Sequence, residues 1–342
     1  MSPDWTDHFR SGRRSGSVLA YVLLMILLTA SALVIFMERA HREIRTEAMY
    51  YQRDQVRAEA YSALEIVLAV LEDVVEIDGA LRDPAQGWGD PFAYAEWEGS
   101  GDATVDFTFR DHTGRLSLVT IEPDVFERLL EFLEFDLGQR EDLTDAFFQW
   151  TREDFTPRGV GMDPERYAQR EIAHGVPSAP LRSYAELWAI EGFAEAFRDE
   201  SGVPGERFQR FRELTTLAPT GAVNVNSLRP EILQILLDDM DGQQVLSGED
   251  IETLRPTEQP WFTSPGEAGD LWGISLDGGN FGTEIQALEV EIAVRRGDQT
   301  TRLIVLLSRQ APPSGPGQGL DAGGEGDPRR VGAFYLLALE ER

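Results

Sequence analysis

The apolar positions change their spacing along the chain, and each change marks a different kind of element. From Val18 to Met37 most positions are apolar and none is charged. A run of about 20 such residues is long enough to cross a bilayer as a helix. Tyr21, Thr29 and Ser31 interrupt it only mildly. Neither Gly nor Pro occurs from Ser17 to Asp78, so no strong helix breaker stands in that stretch. Glu and Arg are frequent from Glu38 to Glu59; then Leu64, Val67, Leu68, Leu71, Val74 and Val75 return at helical spacing. Such a stripe belongs to a helix laid on a core. The pattern predicts one unbroken helix with an apolar first third, a charged middle and an amphipathic end, about 90 Å long.

Past Asp78 the spacing becomes irregular. Gly79 to Gly101 gathers Gly and Pro with Trp88, Phe92, Tyr94 and Trp97 and reads as a loop. Val105, Phe107 and Phe109 then alternate with Asp106, Thr108 and Arg110, which is strand periodicity. Asp111-His112-Thr113-Gly114 makes a turn, and Leu116, Leu118 and Ile121 are expected to begin the partner strand of a hairpin. Between Pro123 and Leu254 helical spacing takes over. Val125, Leu129, Leu130 and Leu133 form one stripe, and Leu143, Phe147 and Phe148 another. Leu181 to Phe197 (interrupted by Gly192) and Arg207 to Leu214 predict further helices, and Pro230 to Leu237 a short one with Pro at its tolerant first turn.

Strand alternation returns in Leu288, Val290, Ile292 and Val294, turns at Arg295-Arg296-Gly297-Asp298 and runs back through Leu303 to Leu307. Ala311 to Arg329 is rich in Gly and Pro and reads as disordered, before a last strand from Val331 to Leu339. Strands on both sides of a helical block imply an α+β fold: a long N-terminal helix on a small antiparallel sheet, with a large all-helical domain inserted between strands.

Composition narrows the function. The 342 residues carry 60 acidic and 31 basic side chains, a net charge of -29, and every basic residue other than His is Arg. That charge repels phosphate backbones, so no nucleic-acid partner is expected. There is no Cys, hence no disulfide framework and no thiolate metal site. His8, His41, His112 and His174 are scattered without ligand spacing. No P-loop, paired-His zinc motif, Gly-x-Ser-x-Gly elbow or Cys nucleophile occurs. A non-enzymatic role is therefore expected, with no catalytic residue and no required cofactor. Glu267, Asp270, Asp277 and Asn280 stand in a Gly-rich loop before the returning strands; hard oxygen ligands on such a loop suit calcium.

Arg10, Arg13 and Arg14 precede the apolar run and favour a cytoplasmic N-terminus, with the bulk of the chain on the outer side. A secretory signal cut at Ala30-Ser31-Ala32, or a plain signal anchor to a scaffold domain, would start the same way. Against the cut, apolar residues continue from Leu33 to Met37. The leader Arg13-Arg14-Ser15-Gly16, set before a long helix, resembles that of a type IV prepilin. The resemblance implies cleavage by the prepilin peptidase after Gly16, leaving Ser17 as an N-methylated terminus. Most pilins carry Glu at the fifth mature position; here it is Tyr21. A subunit without that charge suits the end of a filament better than its repeating shaft.

The order of elements is similar to that of the K-type minor pseudopilin of type II secretion, which also lacks the Glu. Its marks are Asp-x-x-Gly-Arg-Leu at Asp111 to Leu116, a Trp-and-acid stretch from Phe148 to Asp154, Ser-x-x-Glu-Leu at Ser183 to Leu187, and Asn-x-Asn before a Pro-led helix at Asn224, Asn226 and Pro230. Two departures stand out. Ser117 replaces the Asn that usually follows the first mark, and Ser227-Leu228 replaces Thr-Ala after the last.

Taken by themselves, Asn224 and Asn226 read as structural residues capping the helix at Pro230, with Val223 and Val225 turned inward. Asn-x-Asn also occurs in helix-hairpin-helix DNA grips, but Asp238, Asp239 and Asp241 follow here and would repel phosphate. The resemblance implies a protein of the bacterial inner membrane and periplasm that caps the pseudopilus tip, joins I-type and J-type minor pseudopilins through N-terminal helices, and binds calcium in its globular part. A type IV pilus minor pilin is the nearest alternative. The expected divisions are a leader (1–16), a transmembrane segment (17–37), a first pilin-like part (38–122), an inserted helical domain (123–279) and a second pilin-like part (280–342).

Overall fold

The computed structural model describes residues 15–99, 102–158, 176–237, 248–256, 259–276, 279–311 and 330–342. The chain forms two compact units, Met1–Ala58 and Glu59–Arg342. Helix α1 spans Ser15–Asp78, 64 residues without a break, as the absence of Gly and Pro predicts. In the first unit, every apolar side chain from Val18 to Met37 is exposed. In the second, the end of α1 buries Ala60, Ala63, Leu64, Val67, Val70, Leu71 and Val74. Leu68 and Val75, also expected in that stripe, are half-buried at its edge.

The strands are β1 (Thr104–Asp111), β2 (Leu116–Ser117), β3 (Thr215–Thr216), β4 (Val223–Asn224), β5 (Phe281–Gly282), β6 (Ala287–Arg296), β7 (Gln299–Ser308), β8 (Arg330–Val331) and β9 (Phe334–Glu341). Five make one sheet in the order β1-β6-β7-β9-β8, with every neighbouring pair antiparallel. Alternation in β6 buries Leu288, Val290, Ile292 and Val294, and in β7 Leu303, Val305 and Leu307. The two join through Gly297-Asp298, with Arg296 opposite Gln299. Gly297 has φ +57°, a left-handed conformation that Gly adopts without a Cβ penalty. An ion pair at 2.8 Å from Arg296 to Glu59 ties the sheet to the last part of α1.

The expected hairpin after β1 does not form. β1 pairs along its whole length with β6, Phe107 opposite Ile292. Leu116–Ser117 is a two-residue strand that pairs in parallel with β3 instead. Strand periodicity says which face is buried but not which strand lies alongside. In this fold the long β6 supplies a better-matched partner than two residues across a turn.

Between β1 and β6 lies the inserted segment. Its main helices are α3 (Pro123–Phe132), α4 (Leu137–Thr151), α6 (Glu206–Leu214) and α7 (Pro230–Leu236). They follow α2 (Pro91–Tyr94), which with a 3-10 turn at Pro84–Gln86 fills the stretch read as a loop. The stretch from Leu181 to Phe197 is a 3-10 helix (Tyr184–Ala189) followed by the short α5 (Phe193–Phe197). The insertion is not wholly helical, because β2 with β3 and β4 with β5 form two short parallel pairs. Its core is aromatic: Phe126 and Phe147 stack at 4.5 Å, and Phe148 and Phe211 meet Phe126 edge-on. Such ring contacts add about 1 kcal/mol each to the area they bury.

The segments Arg13-Arg14, Asp238 to Gly242 and Pro312 to Arg329 lie outside the described residues, as do His8, His174 and Asp277.

Candidate functional site

Two places in the molecule carry the features singled out in the sequence. One is the start of α1. Gly16 and Ser17 lie in its first turn, and Tyr21, one turn further on, is 69% exposed. An 18-residue window of this helix has mean hydropathy 2.7 and none of it is buried, which makes it long and apolar enough to cross a membrane. The threonine of the apolar run is satisfied internally, the Thr29 hydroxyl donating to the Met25 carbonyl at 2.9 Å, so it imposes little polar cost on an apolar surrounding.

The other is a polar junction where the insertion leaves and rejoins the sheet. Asp111 ends β1 and accepts from the Thr113 N–H at 2.7 Å. That i to i+2 bond is an Asx-turn, the local habit of Asp before a reversal. The other carboxylate oxygen accepts from Asn224 Nδ2 at 2.8 Å and from the Ser227 hydroxyl at 2.5 Å. Burial pushes the Asp111 carboxyl above its ordinary range, while bonds from Ser227, Asn224 and Thr113 pull it back. The Thr113 hydroxyl oxygen accepts from the N–H groups of Gln286 and Ala287 at 2.8 and 3.1 Å, and its carbonyl from the Asn224 N–H at 3.1 Å. The first and last sequence marks, more than a hundred residues apart, are thus one hydrogen-bonded unit.

The glycine of the first mark has a steric reason. A Cβ on Gly114 would lie 2.5 Å from the Ser227 carbonyl oxygen and equally near its hydroxyl. Only a residue without a side chain lets these two segments approach. The Ser227 hydroxyl is the one that Asp111 uses.

Asn224 and Asn226 do not cap the helix at Pro230. The N-cap of α7 is Arg229, which makes no side-chain capping bond, and Pro230 occupies its first turn. Asn224 Oδ1 accepts from the Asn226 N–H at 3.0 Å, joining the two residues. Asn226 donates to the carbonyls of Phe262 and Thr283, both at 3.2 Å, and accepts from the Phe262 N–H at 2.7 Å. Both Asn side chains are buried, as are Val223 and Val225. Their amides bridge separate segments because a buried amide must find all its partners inside the protein. The turn at Asp111 to Gly114 was legible locally; the bonds of Asp111 to Asn224 and Ser227, and the partners Phe262 and Thr283, gave no sequence signal.

Beside the junction, Arg110 reaches across to β6, bonding Glu289 at 2.5 Å and Glu291 at 3.0 Å. His112 stands 3.4 Å from Glu289. Its hydrogen bond, aided by Arg110, holds the Glu289 carboxyl down at about 2.

Of the four residues read as a calcium loop, Glu267, Asp270 and Asn280 lie among the described residues. Glu267 and Asp270 lie on a helix, α9 (Pro265–Trp272), which follows α8 (Gly248–Thr253). Glu267 uses its carboxylate on the N–H and hydroxyl of Thr263. The Asn280 carbonyl accepts from the Val223 N–H at 2.8 Å. Among the described residues no group of three or more His, Cys, Asp or Glu could hold a metal ion.

Residues 115–200 match the family model described as type II secretion system, protein K, first domain. No curated protein matches the chain. Among solved structures, a chain in the crystal structure of the GspK-GspI-GspJ complex from the enterotoxigenic Escherichia coli type 2 secretion system is similar, with a TM-score of 0.55 and 14% identity. The similarity covers 88% of this chain and 99% of that one. At that identity the likeness is one of fold. The chain thus resembles the K-type minor pseudopilins in a matched segment and in its architecture, as the sequence marks imply.

Proposed function

We propose that this chain is the K-type minor pseudopilin of a type II secretion system, a mechanical component that caps the pseudopilus tip and helps start its assembly for protein export across the outer membrane. The observation that carries the proposal is the match of residues 115–200 to the K protein, because that segment lies within the insertion. A bulky insertion suits a cap, whereas a shaft subunit must be narrow enough to stack. The chain acts by binding and position, not by catalysis.

The exposed run from Val18 to Met37 supports a single-pass anchor in the inner membrane. The arginines before it support a cytoplasmic N-terminus, with the body in the periplasm. The leader supports cleavage after Gly16 by the prepilin peptidase and methylation of Ser17. Tyr21, in place of the shaft Glu, leaves no unpaired carboxylate in the membrane and suits a terminal position. The GspK-GspI-GspJ complex supports I-type and J-type minor pseudopilins as partners.

Co-expression of the full chain with both small pseudopilins and the peptidase tests the assignment. A stable ternary complex and a mature terminus at Ser17 are expected. A correctly cut chain that binds neither partner excludes the K assignment and leaves a type IV minor pilin. An intact Met1, or a cut after Ala32, returns the plain-anchor and signal-peptide readings. Calcium binding involving Glu267, Asp270, Asp277 and Asn280 is a separate part of the proposal, supported by the family resemblance; calcium titration that releases no heat and raises no unfolding midpoint removes it.

A further inference from the structure

The second unit carries a cleft of about 530 Å³, a size typical of sites for small ligands or a few side chains. Its charge is opposite to that of the molecule. In a chain of net charge -29, the cleft gathers Arg115, Arg182 and Arg212 from three separate segments. Among the described residues no carboxylate pairs with any of the three.

The two carboxylates that line the cleft are committed elsewhere. Glu213 pairs with Arg229 at 3.3 Å. Glu289 is held by Arg110 and His112. The site therefore keeps an excess of positive charge.

The cationic groups also have a fixed support. The Arg212 guanidinium lies over the Tyr184 ring, 5.2 Å from its centre, and the Tyr184 hydroxyl is joined to the Thr215 hydroxyl at 3.1 Å. Stacking occupies the face of a guanidinium and leaves its N–H edge free to donate. Arg115 is near enough for its charge to act on the same phenol. Leu217 and Leu306 supply apolar wall.

We propose that this cleft receives a carboxylate side chain from an acidic peptide segment of a partner protein. Guanidinium forks match the two oxygens of a carboxylate. The apolar wall favours a ligand with hydrocarbon beside its charge over a bare inorganic anion. The inference depends on the cleft alone and stands apart from the role of the N-terminal helix.

The test uses the full chain in nanodiscs and a fluorescein-labelled Glu-Ala-Glu-Ala-Glu peptide, read by anisotropy. Binding is expected, with Arg182→Gln and Arg212→Gln each weakening it about tenfold, the usual effect of losing a charge-assisted hydrogen bond. Both side chains are exposed, so the unfolding midpoint should not move. Glu213→Gln should tighten binding by removing negative charge from the rim, which keeps the test open if an arginine variant folds poorly. No binding of the acidic peptide at millimolar concentration overturns the proposal. So does equal binding of a Gln-Ala-Gln-Ala-Gln peptide, parental affinity in both arginine variants, or weaker binding in Glu213→Gln. Binding of inorganic phosphate without binding of the peptide assigns the cleft to free anions and overturns the peptide reading.

Discussion

The five-stranded sheet and the junction at the end of β1 are held together in different ways. The sheet is redundant: β6 and β7 are ten residues each, and alternate side chains share one buried face. Loss of one methyl group leaves the ladder and its neighbours in place. The junction is not redundant. Asp111, Thr113, Asn224 and Ser227 each serve two or more partners, so removal of one group strands several. Repetition of weak contacts tolerates substitution, whereas a small buried polar network concentrates the cost.

Gly114→Ala should break the junction most severely. The new Cβ meets a backbone carbonyl that cannot rotate away, and a loss of about 4 kcal/mol is expected by urea unfolding. A loss below that of a sheet substitution would refute the close approach. Asp111→Ala should cost about 2 kcal/mol, since it orphans donors on Thr113, Asn224 and Ser227 but also removes a carboxylate whose burial is unfavourable. In the sheet, Ile292→Val at a fully buried site should cost only about 1 kcal/mol.

Between the two regions, Glu289 gives a pH signature. Its carboxyl is held at about 2 against an ordinary 4.5, so its contribution is present above pH 4.5 and is lost as pH falls toward 2. Glu289→Gln should flatten the fall of the unfolding midpoint over that window; an unchanged slope would show that another group controls it. The smallest effect belongs to Arg110→Ala. Its ion pairs are 46% exposed on the arginine side, and a change under about 0.5 kcal/mol, shrinking further with salt, is expected by the same unfolding assay.

The same contrast explains what could be read from residues in order. The β6-β7 hairpin was legible because its strands are adjacent and its turn contains the Gly that the left-handed step uses. Helices α3, α4, α6 and α7 were legible because their stripes repeat within one element. The capping role given to Asn224 and Asn226 failed, because an amide near a helix start looks the same whether it caps that helix or reaches Asp111 and Phe262. The expected hairpin at Leu116 failed for a related reason: Leu116 and Leu118 are buried, but beside β3, from about a hundred residues away.

Sequence by itself determined the unbroken α1, the apolar run at its start, the buried face of each long element and the turn at Gly297. These depend on backbone sterics and on periodicity within a few residues. Only the tertiary structure decided that β1 lies on β6, that Gly114 must pass Ser227, and that Arg115, Arg182 and Arg212 share one cleft. Backbone donors and acceptors are nearly alike at every position, and a charged side chain does not specify its neighbour. Partners of that kind are chosen by which distant segments the folded core brings together.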